Sequence, residues 1–178
     1  IVLLGQRMRN LLINFNNITD LEGLSIALGV EEKIISNLAF AEDQTTFYTK
    51  HEIPKKRPSA TSTSRIVWEA KKDEIKDLHK FLLRKFNFYA ERALGYPHKC
   101  AHGYISHRSI FTNASVHAGS RFLVKTDIEN FFPNISRTRI QQFLVINGFQ
   151  IYIAEVLSRL VTINGKLELG LSSSPLFA

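Results

Sequence analysis

The sequence predicts an α+β fold, and three observations carry that expectation. Apolar residues recur at helical spacing from Lys71 to Leu94. Two segments carry hairpin signals. A β-branched and apolar run, Phe122-Leu123-Val124, leads into the lone carboxylate Asp127. At 178 residues, with 44% hydrophobic residues and thirteen Phe, the chain has ample apolar surface for a packed core and lacks the composition of a disordered segment. Its formal charge of +7 favours a polyanionic partner, of which nucleic acid is the commonest.

The first forty residues read as helices. Asn16-Asn17 interrupts an opening apolar segment, Thr19 with Glu22 makes a capping-box start, and Gly29 sits where a helix would end. Leu21, Leu24, Ile26 and Leu28 precede that glycine, and Ile34, Ile35 and Leu38 follow it. Helix, glycine, helix is also the outline of a DNA-reading helix-turn-helix. The acidic first turn of the second helix, Glu31-Glu32, would repel phosphates, which favours simple helical packing.

Phe47 to Ile53 reads as extended, then Pro54-Lys55-Lys56-Arg57-Pro58 and the Ser/Thr-rich stretch from Ser59 to Ser64 read as a loop. Arg65-Ile66-Val67-Trp68 is strand-like, so the two extended runs make a hairpin with a long basic tip. Ile75, Leu78, Leu82, Phe86 and Tyr89 mark the buried face of the long helix that follows. Tyr96 to Thr112 reads as irregular, and a strand ending at Asp127 comes next. Ile140, Phe143 and Leu144 mark a helix ending near Asn147-Gly148, and Ile153, Val156, Leu157 and Leu160 mark another. Asn164-Gly165 between Val161-Thr162-Ile163 and Lys166-Leu167 is a two-residue hairpin signal. The loop Gly170 to Pro175 closes the chain.

Some chemistry classes are disfavoured. One cysteine, Cys100, precludes an internal disulfide framework and fits a reducing, cytoplasmic setting. The spacings of His98, Cys100, His102, His107 and His117 match no common zinc pattern. No G-x-x-x-x-G-K pattern marks a phosphate-cradling loop. No apolar run approaches the roughly 20 residues of a membrane span, and no membrane partner is expected. The chain begins at Ile1 without a signal-peptide pattern, and both ends read as trimmed.

An Asp at a strand end is ordinarily a turn-former or a helix cap. The sequence Lys125-Thr126-Asp127-Ile128-Glu129-Asn130-Phe131-Phe132-Pro133 gives this one unusual company. Metal-dependent phosphoryl transfer needs carboxylates at a strand edge to hold Mg²⁺, and more than one of them. Glu129 would share a face with Asp127 only if the strand continued, and Pro133 turns the chain soon after. In the basic hairpin, Lys55, Lys56 and Arg65 suit clamping a triphosphate, Lys as a point charge and Arg as a two-pronged fork, or they are an ordinary solvated loop.

The stretch from His102 to Ile135 resembles bacterial reverse transcriptases of the retron type. The resemblance rests on Gly103-Tyr104, Arg108-Ser109-Ile110, Asn113-Ala114-Ser115-Val116-His117 and Asp127 through Pro133. Upstream, Ile53-Pro54-Lys55-Lys56 and Arg65-Ile66 resemble the family's fingers hairpin. Downstream, Leu169-Gly170 through Ser174-Pro175 resembles its Pro-Gln-Gly-x-x-x-Ser-Pro loop, with Glu168-Leu169 standing where the family has Pro-Gln. The serine-rich version of that loop is also similar to reverse transcriptases of other antiphage systems.

The resemblance implies a right-hand polymerase: an N-terminal helical extension over 1–45, fingers over 46–120 and part of the palm over 121–178. The family's thumb and its Tyr-x-Asp-Asp carboxylate pair are absent from the sequence. Asp127 would be the catalytic carboxylate, binding Mg²⁺ with help from the Ile128 carbonyl. Lys55, Lys56, Arg65, Phe132 and Gly170 would bind the nucleotide, Phe132 as the gate that disfavours a ribose 2′-hydroxyl. Arg108, Ser109, Asn113 and His117 would contact template RNA, or Asn113 and His117 would brace the fold. The implied activity is RNA-directed DNA synthesis from dNTPs on a structured non-coding RNA, with an effector protein or a second chain as further partner. A piece ending at Ala178 is expected to be inactive unless the palm is completed. The alternative is an RNA- or partner-binding module without catalysis.

Overall fold

The computed structural model describes residues 15–55 and 63–178. Lys56, the rest of the basic hairpin tip and the apolar segment before Phe15 lie outside the described residues. The described chain is α+β, with six α-helices and one two-stranded antiparallel sheet. No helix among these residues is long and apolar enough to cross a membrane.

Helix α1 (Leu21–Leu28) starts after Asp20, whose carboxylate accepts a hydrogen bond from the Gly23 N–H at 2.8 Å. This corrects the expected Thr19 cap. Asp20 stands one residue closer to the first turn, and its carboxylate is the better acceptor at a positive helix end. Gly29 ends the helix in the left-handed region at φ 71°, as the sequence indicates. Helix α2 (Glu32–Ala39) buries Ile35 and Leu38. Phe47 closes a 3₁₀ turn, Gln44–Phe47, so the first strand begins one residue later than expected.

Strands β1 (Tyr48–Pro54) and β2 (Ser64–Ala70) pair from Tyr48–Ala70 to Pro54–Ser64. Helix α3 (Asp73–Ala93) returns along the core and buries the predicted stripe of Ile75, Leu78, Leu82, Phe86 and Tyr89. Helix α4 (Ile110–Val116) was not foreseen. Its signal is a capping box in which Ser109 accepts from the Thr112 N–H and Thr112 accepts from the Ser109 N–H. Helices α5 (Arg137–Ile146) and α6 (Ile151–Leu160) pack on each other across a short turn at Gly148, at φ 89°.

Helix α6 is the centre of the core. Ile153, Ala154, Val156, Leu157 and Leu160 are fully buried, and it packs on both α2 and α5. A second focus is aromatic. Phe15 lies 4.6 Å from Phe86, and Phe149 stacks on Phe86 at 5.9 Å, joining the turn at Phe15–Asn17 to α3 and to the α5–α6 turn. Asn164 and Gly165 both have positive φ, and Ile163 and Lys166 bridge across them, the predicted two-residue hairpin turn in its smallest form.

The predicted strand ending at Asp127 is not formed. Residues 121–128 have no ladder partner, and Phe122 and Val124 are 82% and 86% exposed. A run apolar on both faces is built for the middle of a sheet, where each edge needs a neighbour. Among the described residues the only strands are β1 and β2, and they pair with each other.

Candidate functional site

The segment after Asp127 is anchored although Asp127 is not. Asn130 takes a left-handed conformation at φ 50°, and the Asn134 amide donates to the Glu129 carbonyl at 3.0 Å, closing a compact turn. Ile135 is buried, and its carbonyl accepts from the Leu167 N–H at 3.0 Å. The Arg137 N–H donates to the Gly165 carbonyl at 2.9 Å. The small hairpin therefore holds the turn that follows Asp127 and carries the aromatic pair. Phe131 and Phe132 meet edge to face at 5.6 Å. Phe132 packs against the core, whereas Phe131 is 40% exposed and lines a cavity of about 430 Å³ with Phe86, Tyr89, Phe143 and Phe177.

Asp127 and Ile128 are exposed, and the Asp127 carboxylate has no hydrogen bond or ion pair among the described residues. No group of three or more His, Cys, Asp or Glu side chains that could hold a metal ion occurs among them. A single exposed carboxylate does not meet the ligand demand of Mg²⁺, so the described residues do not make a complete site for that ion.

The nucleotide-clamp candidates divide. Arg65 is exposed and pairs across the ladder with Ile53. Lys55 is half-buried, and its backbone N–H donates to the Thr63 carbonyl at 2.9 Å. Gly170 lies against the middle of β2, where a Cβ would come within 2.1 Å of the Trp68 carbonyl oxygen. Its φ of 105° is also closed to ordinary side chains. The Trp68 N–H donates to the Leu169 carbonyl at 2.8 Å, so the serine-rich loop is stitched directly onto the hairpin.

The template-contact candidates also divide. The Arg108 guanidinium donates to the carbonyls of His98, at 2.8 Å, and Ala101, bracing that loop. Ser109 caps α4. Asn113 and His117 are exposed at i and i+4, on one face of that short segment.

A buried network that the sequence reading missed fastens this region. His79 on α3 bonds through Nε2 to the Tyr48 hydroxyl at 3.0 Å and through Nδ1 to the Ser173 hydroxyl at 2.9 Å. One chain of bonds thus joins β1, α3 and the serine-rich loop. Burial pushes the His79 pKa down to about 4, so the imidazole is neutral, and it pushes the Tyr48 hydroxyl up. Ser174 donates to the Glu168 carbonyl at 2.6 Å, and burial raises the Glu168 carboxyl above its ordinary value. Gln44 and Asn164 exchange two 3.0 Å hydrogen bonds, tying the small hairpin to the turn before β1. The available signals were weak: a histidine on the apolar face of a helix, and an asparagine chosen by its turn.

No protein-family profile matches the chain. Three curated proteins are similar to it over most of its length. The retron Mx162 reverse transcriptase of Myxococcus xanthus is 32% identical over 83% of this chain and 29% of its own length. The retron Se72 reverse transcriptase of Salmonella heidelberg (strain 579083-10) is 29% identical over 88% of this chain and 39% of its own. The retron Ec86 reverse transcriptase of Escherichia coli is 27% identical over 97% of this chain and 50% of its own. The chain therefore spans half or less of the length of these relatives. A match covering 97% of the chain includes the Asp127 turn and the hairpin.

Proposed function

Homology to retron reverse transcriptases across 83–97% of the chain is the premise, and from it we propose that the chain forms the fingers and the start of the palm of an RNA-directed DNA polymerase. The observation that carries the reading is this near end-to-end match to enzymes of one named activity. The geometry supports it in two places. The turn after Asp127 is fixed by the small hairpin while the Asp127 carboxylate stays open to solvent. The serine-rich loop is fixed to β2 through Gly170 and Leu169, which places it beside the hairpin that carries Lys55 and Arg65.

In this reading Asp127 contributes one carboxylate to a Mg²⁺ site whose other carboxylates come from outside the described residues. The exposed run Phe122-Leu123-Val124 becomes a central palm strand once neighbours flank it. When bound, Mg²⁺ would supply charge stabilisation at phosphate oxygens. Arg65 and Lys55 would hold the triphosphate of a dNTP, and Phe132, seated on the core beside Phe131, would be a firm stop against a 2′-hydroxyl. Of the template-contact candidates, Asn113 and His117 are exposed without a bracing or capping role, whereas Arg108 braces a loop and Ser109 caps α4.

The test is incorporation of labelled dNTP on a primed RNA template, with Mg²⁺, by the protein expressed from its natural gene. Incorporation that needs RNA, dNTP and Mg²⁺ together is the expected result. Tight RNA binding with no incorporation would favour the RNA-binding module without catalysis.

A further inference from the structure

Helix α3 carries a second pattern that its core face does not explain. Phe81, Arg84, Lys85, Phe88 and Arg92 follow one another at i, i+3, i+4, i+7 and i+11, a stripe along the flank beside the buried face, with Phe81 half-buried against the core and both arginines exposed. Each arginine lies over an aromatic ring. The Arg84 guanidinium carbon is 5.2 Å from the Phe81 centroid, and that of Arg92 is 4.3 Å from the Phe88 centroid. Both arginines are exposed, and neither makes an ion pair or a side-chain hydrogen bond among the described residues. Two of the acidic residues at the start of the helix are matched elsewhere: Asp77 pairs with Lys80 at 2.8 Å and Asp73 with Lys76 at 3.6 Å. Glu74, toward the start of the helix, and Glu91, toward its end, are its other acidic residues.

We propose that this stripe is a polynucleotide-binding surface, with Arg84 and Arg92 taking backbone phosphates and presenting their outer faces to unpaired bases. A guanidinium held over a ring keeps N–H donors available and loses little further freedom when a phosphate docks. Its open face is a stacking platform for a base, as in recognition of single-stranded RNA. The two arginines are eight residues apart, about 12 Å along the helix. One strand of a duplex presents roughly three or four phosphates over that length. The choice of polynucleotide over other polyanions rests on the reverse-transcriptase reading. The binding itself needs neither Asp127 nor metal.

The test is fluorescence anisotropy of a labelled RNA stem-loop with unpaired flanks, titrated with the natural gene product at several salt concentrations without Mg²⁺ or dNTP. Arg84→Gln with Arg92→Gln should weaken binding about tenfold and flatten the log–log salt slope by about 1.5. The charge-matched control, Lys33→Gln with Lys72→Gln, should leave the slope nearly unchanged. Arg84→Lys with Arg92→Lys should still lose affinity several-fold for the unpaired flanks, because lysine keeps the charge but not the stacking plane. Equal losses in the glutamine and control pairs would overturn the proposal, as would unchanged binding in folded Gln variants. Full affinity in the lysine pair, or preferential binding of poly-glutamate over RNA, would overturn it as well. Because dNTP incorporation is not read, a failure here is separable from a failure of the polymerase reading.

Discussion

At the scale of single residues, His79 and Gly170 set the terms on which the serine-rich loop meets the hairpin. His79 is fully buried, and its folded pKa of about 4 lies below the ordinary value near 6.5. The fold therefore favours the neutral ring. Between those two values the unfolded chain binds more protons, so stability falls as pH drops through 6.5 toward 4. The loss at the low end is on the order of 3 kcal/mol. Urea unfolding at pH 7 and pH 4.5 should show it, and His79→Ala should be less stable at pH 7 yet flatter across that window. Gly170→Ala places a Cβ 2.1 Å from the Trp68 carbonyl oxygen in a backbone conformation that disfavours it. It should cost about 3 kcal/mol in the same assay. A cost below about 0.5 kcal/mol would mean that the loop does not rest on β2 as described.

At the scale of elements, the small hairpin organises the candidate site. Asn164 accepts the turn's positive φ and also bonds Gln44 and Asp43, the latter at 3.0 Å. Asn164→Ala loses both roles and should destabilise the protein by about 2 kcal/mol, read as a shifted thermal midpoint. Most elements were legible because their signals are local. Helix α3 shows its buried stripe at helical spacing, and Gly29, Asn147-Gly148 and Asn164-Gly165 mark their turns by conformational demand. Helix α4 was overlooked because a Ser-x-x-Thr capping box before a short, exposed segment has no apolar periodicity to support it. The strand expected at Phe122 to Asp127 rests on propensity, but a strand is a relation between neighbours, and propensity supplies no neighbour. Hydrogen exchange on this chain should find amides 122–128 fast and those of α6 slow. Slow exchange at 122–128 would contradict the unpaired state described.

For the molecule as a whole, the candidate site was legible as a motif and not as an assembly. Asp127, Phe132 and Gly170 could each be picked out by residue type and order, but their surroundings depend on contacts far apart in sequence. Tyr48, His79 and Ser173 meet only after three elements have packed, and no spacing rule joins them. Arg108 illustrates the converse, since its charge suggests a ligand contact and its geometry shows a loop brace. The central claim is that Asp127 serves nucleotide incorporation and not folding. Its exposure and lack of bonding partners among the described residues make it separable from the packing around it. The most direct measurement is Mg²⁺-dependent incorporation of dNTP on primed RNA by the natural gene product, comparing wild type with Asp127→Ala. The account predicts a loss of about a thousandfold in rate, with thermal stability and RNA affinity unchanged. Incorporation at the wild-type rate by Asp127→Ala would contradict it.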